Sequence, residues 1–422
     1  MRTLIAPLRQ LATMAGVVEK DGIGVTWDDL GLIDNAALVF EDDRIVYAGP
    51  AADAPTDHAR HVDATGLVAL PGLIDPHTHP CWVGLRHDEF AMRAEGATYL
   101  DISRAGGGIR ASVRYCRGAS EDELFEATAS RLARMLALGV TTVEAKSGYA
   151  LNTEGELRML RAIRRAGAQS DQEVFATFLG AHAIPEEFAD DSEGFTDVIV
   201  EEMLPAVVAE SLADFCDVFV EEGFFSLAQG RRILQKAKDL GLALRIHADE
   251  FVSLGGAQLA AELGAASADH LMAIDEQGRR ALADAGVTAT LLPATTLFLG
   301  QTNFAPARAL LDAGVRVALS TDSNPGSSHT ENQQLVLTLA CTHLGMSVPE
   351  ALAAVTYNAA RSLLAHDRLG ALLPGYRADA ALFAVPDVRA IPYHLAMSDL
   401  RLVAAGGHLY QAPPTHAAPL AT

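Results

Sequence analysis

The chain has 422 residues, 50% of them hydrophobic and 20% charged, with 32 basic against 54 acidic side chains and a net charge of −22. Such a balance is ordinary for a soluble globular protein, and its acidity argues against nucleic acid or an anionic membrane surface as a partner. Cys81, Cys116, Cys216 and Cys341 are the only cysteines and form no CxxC pair; with no apolar run of ~18 residues and no clean leader-cleavage site, a reducing cytoplasm is the simplest expectation.

Residues 1–70 carry a strand–turn–strand pattern, LIDNAALVFEDDRIVYAGP, with Asp42-Asp43 at the turn. From residue 71 the pattern changes to short apolar runs separated by amphipathic stretches. The runs are GLIDPHTH (72–79), VTTVEAKSGY (140–149), VFATFLGAHAI (174–184), FCDVFVEEGFF (215–225), LALRIHADE (242–250), ASADHL (266–271), VTATLLP (287–293) and VRVALSTD (315–322). Segments 121–139, 154–167 and 226–241 between them have helical periodicity. Continuous apolar runs read as strands buried on both faces, and helical crossovers imply a parallel sheet. Eight such units predict a (β/α)8 TIM-type barrel over 71–366. After residue 366 the strand-rich style returns in RADAALFAVPDV and DLRLVAAGGHLYQ. Residues 1–70 and 367–422 are therefore expected to form a small β-sandwich domain built from both chain ends.

The polar residues of interest fall at the carboxyl ends of the runs, the rim where barrel enzymes carry their chemistry. His77 and His79 are two apart, and alternating strand side chains place both imidazoles on one side. The fifth run ends in His247 and the eighth in Asp322. Three imidazoles and a carboxylate from three strand ends suit one divalent metal, zinc or ferrous iron, with a position open to water. Taken singly, each also reads as a core histidine or a helix N-cap aspartate. His270, ending run six, reads as a hydrogen-bond donor to the reacting oxygen or water, with a further ligand as the alternative. Cys81 follows His79 by two residues but reads as a buried thiol. Run four ends in Glu221-Glu222-Gly223 without a bridging lysine, which predicts a single metal. Lys146, on run two, reads as a structural lysine paired to a carboxylate.

PGLIDPHTH, AGGGI (105–109), EAKSGYALNTEGELRML (144–160), GAHAIPEEF (180–188), HADEFVSLGGAQLAAELGAASADHL (247–271), APARALLDAGVRVALSTDSNPGSS (305–328) and IPYHLA (391–396) together resemble the imidazolonepropionase family of the amidohydrolase superfamily. The resemblance runs from about residue 30 to 410. It implies hydrolysis of 4-imidazolone-5-propanoate to N-formimidoyl-L-glutamate in histidine degradation, with one zinc or iron. By motif position the metal ligands are His77, His79, His247 and Asp322. Substrate contacts are Arg86, Tyr149, His182, Glu250, Asn324, Gly326 and Ser327. Three local departures, PCWVGLR after the HTH, KSGYA for KSGYG and NPGSSH for NPGTSP, bear on the wall of the site rather than on the reaction.

The substrate is a cyclic amide with a propionate tail. Asp322 is the expected proton carrier, with Glu250 and His270 orienting water and substrate. Arg86 offers a planar fork for the propionate, which Tyr149 and His182 would flank. Gly106-Gly107-Gly108 lacks a phosphate-binding pattern and reads as a flexible rim loop. Rival readings are a deaminase of a nitrogen heterocycle or a formimino deiminase on the same barrel, and a catalytically dead barrel used for binding. Arg86 with Tyr149, and the full ligand set, argue against them. A homodimer is expected from symmetry alone.

Overall fold

A computed structural model describes residues 2–57, 60–97, 101 and 106–412. In chain order the strands are β1 (Arg2–Ala12), β2 (Leu32–Glu41), β3 (Arg44–Pro50), β4 (Arg60–Asp63), β5 (Val68–Pro71), β6 (Leu73–Thr78), β7 (Val140–Lys146) and β8 (Glu173–Ala181). There follow β9 (Phe215–Val220), β10 (Ala243–Ala248), β11 (Ser267–His270), β12 (Thr288–Leu291), β13 (Val317–Leu319), β14 (Ala380–Phe383), β15 (Leu400–Ala405) and β16 (His408–Gln411). Strands β6 to β13 make one eight-stranded sheet whose hydrogen-bonded order follows the chain, and every adjacent pair is parallel. Each of the eight corresponds to one apolar run of the sequence. β6, β7 and β9 are buried along their whole length.

The crossover helices begin where side chains can satisfy the first free amides. Ser120 and Glu123 form a reciprocal cap on Glu121–Ala137, and Ser226 and Gln229 do the same for Leu227–Asp239. Asn152 accepts from Gly155 N at the start of Thr153–Ala168.

The two ends of the barrel sheet, β6 and β13, meet through side chains. Asp75 accepts from Ser320 Oγ, from Thr321 N at 3.0 Å and from Thr321 Oγ1 at 2.6 Å. Ser320 Oγ also accepts from His77 N at 3.0 Å. His79 N donates to Ser323 O at 2.9 Å, and Gln333 Nε2 reaches the carbonyls of Ile74 and Leu319 at 2.8 and 3.2 Å. Polar side chains thus do the work of a strand ladder across this seam, and they fix the register of His77 and His79 against Asp322.

The β domain drawn from both chain ends is a single continuous mixed sheet, ordered β16-β15-β14-β5-β1-β2-β3 with β4 also on β1. Its inward residues, among them Leu8, Leu38, Phe40, Ala69, Leu382 and Ala404, share one core. Strand β1 is the unanticipated element. The mildly apolar N-terminus pairs with β2, β4 and β5 at once, so it stands inside the sheet rather than before it. The β2–β3 hairpin turns at Asp42, in the left-handed region at φ 52°. Ala105 of the AGGGI motif and the tail beyond residue 412 lie outside the described residues.

Candidate metal centre and substrate pocket

Buried polar side chains collect at the carboxyl ends of the barrel strands. Ring nitrogens of His77, His79 and His247 lie within 4.8 Å of one another, and so do ligand atoms of His77, His270 and Asp322. His77 Nδ1 is 2.7 Å from a carboxylate oxygen of Asp269, which can only accept. Nδ1 therefore carries the proton, and the lone pair of Nε2 faces the centre. That Nε2 is buried without a hydrogen-bond partner, 3.7 Å from Asp322 Oδ1. His79 Nε2 is 3.4 Å from the same oxygen, and His247 Nδ1 is 3.0 Å from Asp217 Oδ2. The other oxygen of Asp322 accepts from Thr295 Oγ1 at 2.6 Å, so one oxygen is anchored and one faces the imidazoles.

Burial first, then neighbouring cations, holds the pKa values of His77 and His79 well below the usual range. Burial likewise lowers His270 to about 3. These rings are neutral, and neutral imidazoles packed against a carboxylate suit a cation. This donor set fits a divalent metal by its chemistry.

Beneath the imidazoles runs a fully buried ionic network that the sequence reading only touched. Lys146 Nζ is 2.8 Å from both Glu144 Oε1 and Asp217 Oδ2. Burial opposes its charge, but Asp217 and Glu144 outweigh that effect and raise its pKa. Arg245 Nη2 is 3.1 Å from Asp269 Oδ2 and 2.7 Å from Pro76 O. Each cation thus steadies a carboxylate that in turn abuts a histidine, Asp217 at His247 and Asp269 at His77. The expectation of a structural Lys146 agrees with this placement. Cys81 is fully buried with its thiol pushed up to about 12, chiefly by burial, and it belongs to no metal-capable cluster among the described residues.

Four non-glycine residues at these strand ends adopt left-handed backbone: Asp249 (φ 49°), His270 (φ 75°), Leu271 (φ 62°) and Asp322 (φ 51°). Each costs about 1–3 kcal/mol, which the surrounding contacts must offset. For Asp249 the offset is visible. Its carboxylate accepts from Leu254, Gly255, Gly256 and Ala257 amides at 3.0–3.2 Å, heading the helix Gly256–Leu263 and leaving Glu250 at the rim. Glu221, flagged at the end of run four, secures the same loop by accepting from Phe251 N at 2.8 Å.

Above the centre lies a cavity of about 580 Å³. Its wall includes His79, His182, His247, His270, Asp322, Glu250, Tyr149, Arg86, Asn324, Gly326 and Ser327, so sequence-selected residues from every part of the barrel come together. His77 lies below them. Burial, then Asp322 and Glu221, raises the Glu250 carboxyl well above its usual range. Burial raises the Tyr149 hydroxyl likewise. His182 Nδ1 is 3.0 Å from Gly148 O, a pure acceptor, which leaves its Nε2 as an acceptor. In the loop after β13, Asn324 Oδ1 accepts from the amides of Gly326 and Ser327 at 2.8 Å each. Those amides are therefore committed to the turn. Arg86 Nη1 packs closely on Gly326: a Cβ there would lie 2.2 Å from it and would push the guanidinium aside.

The amidohydrolase family profile matches residues 68–406. An imidazolonepropionase from Geobacillus kaustophilus is 45% identical over 406 residues, covering 94% of this chain and 95% of that protein. One from Symbiobacterium thermophilum is 44% identical over 412 residues, covering 96% of each. Among solved structures, atrazine chlorohydrolase from Arthrobacter aurescens TC1 complexed with zinc has a TM-score of 0.71 at 22% identity, covering 99% of this chain and 97% of that one. An adenosine deaminase from Xanthomonas campestris with bound zinc has a TM-score of 0.74 at 18% identity, covering 97% and 93%.

Proposed function

The chain belongs to the amidohydrolase family and, within it, to the imidazolonepropionases, and from this premise we infer that it hydrolyses the cyclic amide C–N bond of 4-imidazolone-5-propanoate. The product is N-formimidoyl-L-glutamate, and the reaction serves L-histidine degradation. The observation that carries this reading is the pairing, in one cavity, of a buried imidazole–carboxylate cluster with an arginine fork at the wall.

We assign His77, His79, His247 and Asp322 as ligands of one divalent cation, zinc or ferrous iron. Bound there, such a cation supplies Lewis acidity, polarising the carbonyl and making water acidic near neutral pH. Asp322, which faces the imidazoles with one oxygen and is anchored on Thr295 through the other, accepts the proton of the attacking water and passes it to the ring nitrogen as the C–N bond breaks. The carbonyl carbon becomes the new carboxylate. His270, neutral through burial, has one N–H to donate to the developing oxyanion. Glu250, biased toward its protonated form and 3.6 Å from His270 Nδ1, orients the substrate ring beside it. Arg86 takes the propionate, with Tyr149 and His182 beside it and the Asn324–Ser327 turn behind.

Two tests follow from this assignment. Chelation should abolish the loss of imidazolone ultraviolet absorbance, and zinc or ferrous iron should restore it; activity surviving complete metal removal would refute the ligand assignment. Arg86→Ala should raise KM about 10–100-fold with a smaller change in kcat, since a charge-assisted bidentate contact is lost in ground and transition state alike. An unchanged KM would mean that the acid tail binds elsewhere.

The remaining assignments are a barrel at 71–366, a composite β domain at 1–70 and 367–422, a cytoplasmic location and a homodimer that binds no nucleic acid. The strand distribution supports the boundaries, and four free cysteines support the compartment.

A further inference from the structure

Arg86 does not wait with an empty fork. Its Nε and Nη2 donate to the two oxygens of Glu89 at 3.0 and 2.8 Å, a bidentate pair whose side chains are only 15% and 14% exposed. Both residues line the cavity. A glutamate side chain is a propionate: two methylenes and a carboxylate. The substrate tail is the same group. The chain therefore presents its own copy of the tail to the very fork assigned to the substrate.

Glu89 takes the Nε–Nη2 edge of Arg86, and the remaining Nη1 packs against Gly326, so a tail that takes the Nε–Nη2 edge must displace Glu89. A second partner is within reach. Arg93 lies four residues on along the same helix, His87–Ala94, and also lines the cavity. Residues four apart share a helix face. Its contacts among the described residues are weak, a 3.3 Å hydrogen bond to Gly326 O and a guanidinium 5.3 Å from the Phe298 ring centroid. Glu89 and Arg93 share a helix face and the cavity wall, so Arg93 is the cation at hand for a Glu89 carboxylate released from Arg86.

Glu89 also accepts from Gly108 N at 3.0 Å, and Gly106 and Gly108 have φ of 81° and 77°. Moving Glu89 thus releases a side-chain contact on this amide in the glycine-rich stretch.

We propose that Glu89 is a specificity-determining residue: an internal propionate that occupies Arg86 until a ligand bearing an acid tail displaces it onto Arg93. Ligands without a tail cannot make the exchange and meet a neutralised arginine. The inference rests on the assignment of Arg86 to the tail, and the test separates the two.

The probe is imidazole-4-propionate, which has ring and tail but no carbonyl to hydrolyse, titrated calorimetrically into the metal-loaded protein, with imidazole as the tailless control. Glu89→Gln keeps an acceptor for Gly108 N and removes only the charge. It should tighten the probe by about three- to tenfold, the scale of one charge-assisted contact, while imidazole is unaffected. Unchanged or weaker probe binding would overturn the proposal, since a merely supportive Glu89 would leave Arg86 worse placed. Arg93→Met should weaken the probe in the wild-type background and have no effect in Glu89→Gln. Equal weakening in both would mean that Arg93 touches the tail itself, and the exchange falls. If Arg86→Ala leaves probe affinity unaltered, the fault lies in the tail assignment; if it weakens the probe while Glu89→Gln does not tighten it, the fault lies in the exchange.

Discussion

Asparagine at position 322 lowers kcat by about 10³-fold in metal-replete protein, because a carboxamide cannot accept the water's proton, and positioned proton transfer is worth about 10²–10⁴. Asp322→Asn is nearly isosteric, and its one oxygen can serve either Thr295 Oγ1, which holds Asp322 at 2.6 Å, or the cation, so metal content is read beside turnover. The left-handed backbone at φ 51° is also tolerated well by asparagine. Fold and cavity should therefore survive, and the loss should appear in turnover rather than in melting temperature. The measurement is steady-state kinetics beside elemental analysis. Stoichiometric metal with near-normal kcat would remove Asp322 from the proton path.

Lys146→Met has the largest expected effect on stability. The ammonium is fully buried and touches Glu144 and Asp217 at 2.8 Å each. Methionine fills similar volume but leaves two carboxylates in the barrel interior without their shared cation. Breaking a buried charge cluster from one side costs about 3–5 kcal/mol. The damage should also reach the centre, because Asp217 stands 3.0 Å from His247 Nδ1. Loss of an outer carboxylate's orientation weakens metal binding by about 10–100-fold. Urea unfolding reads the first effect and competition with a chromogenic chelator the second. Adding Glu144→Gln should recover part of the stability by removing one stranded charge. A loss below about 1 kcal/mol would show that the carboxylates take up protons or water at little cost, against the range expected for such clusters.

Much of the architecture was legible because barrel strands are buried on both faces. Their runs are mostly apolar, and His77, His79, His247, His270 and Asp322 stand out at the ends. The ionic network was harder to read for the same reason. Asp217, Arg245, Glu144 and Lys146 interrupt apolar runs and so advertise that something is paired, but spacing along one strand does not say which neighbour across the barrel supplies the partner. Thr295 left no signal: a threonine at a helix start has many plainer uses. The N-terminal strand was missed because its pairing lies with segments 20 to 60 residues away. The role of Glu89 was equally hidden, since a glutamate three residues from an arginine looks like an everyday helix-surface pair.

The closure between the first and last barrel strands carries a further consequence. Asp75, Ser320 and Thr321 act as a clasp, and the clasp sits one or two residues from His77 and Asp322. Donors from the first and the last strand are therefore indexed to each other by the same bonds that shut the cylinder. The protein has no mechanical slack in which the cylinder loosens while the centre endures, so inactivation on heating and loss of the cylinder are one event.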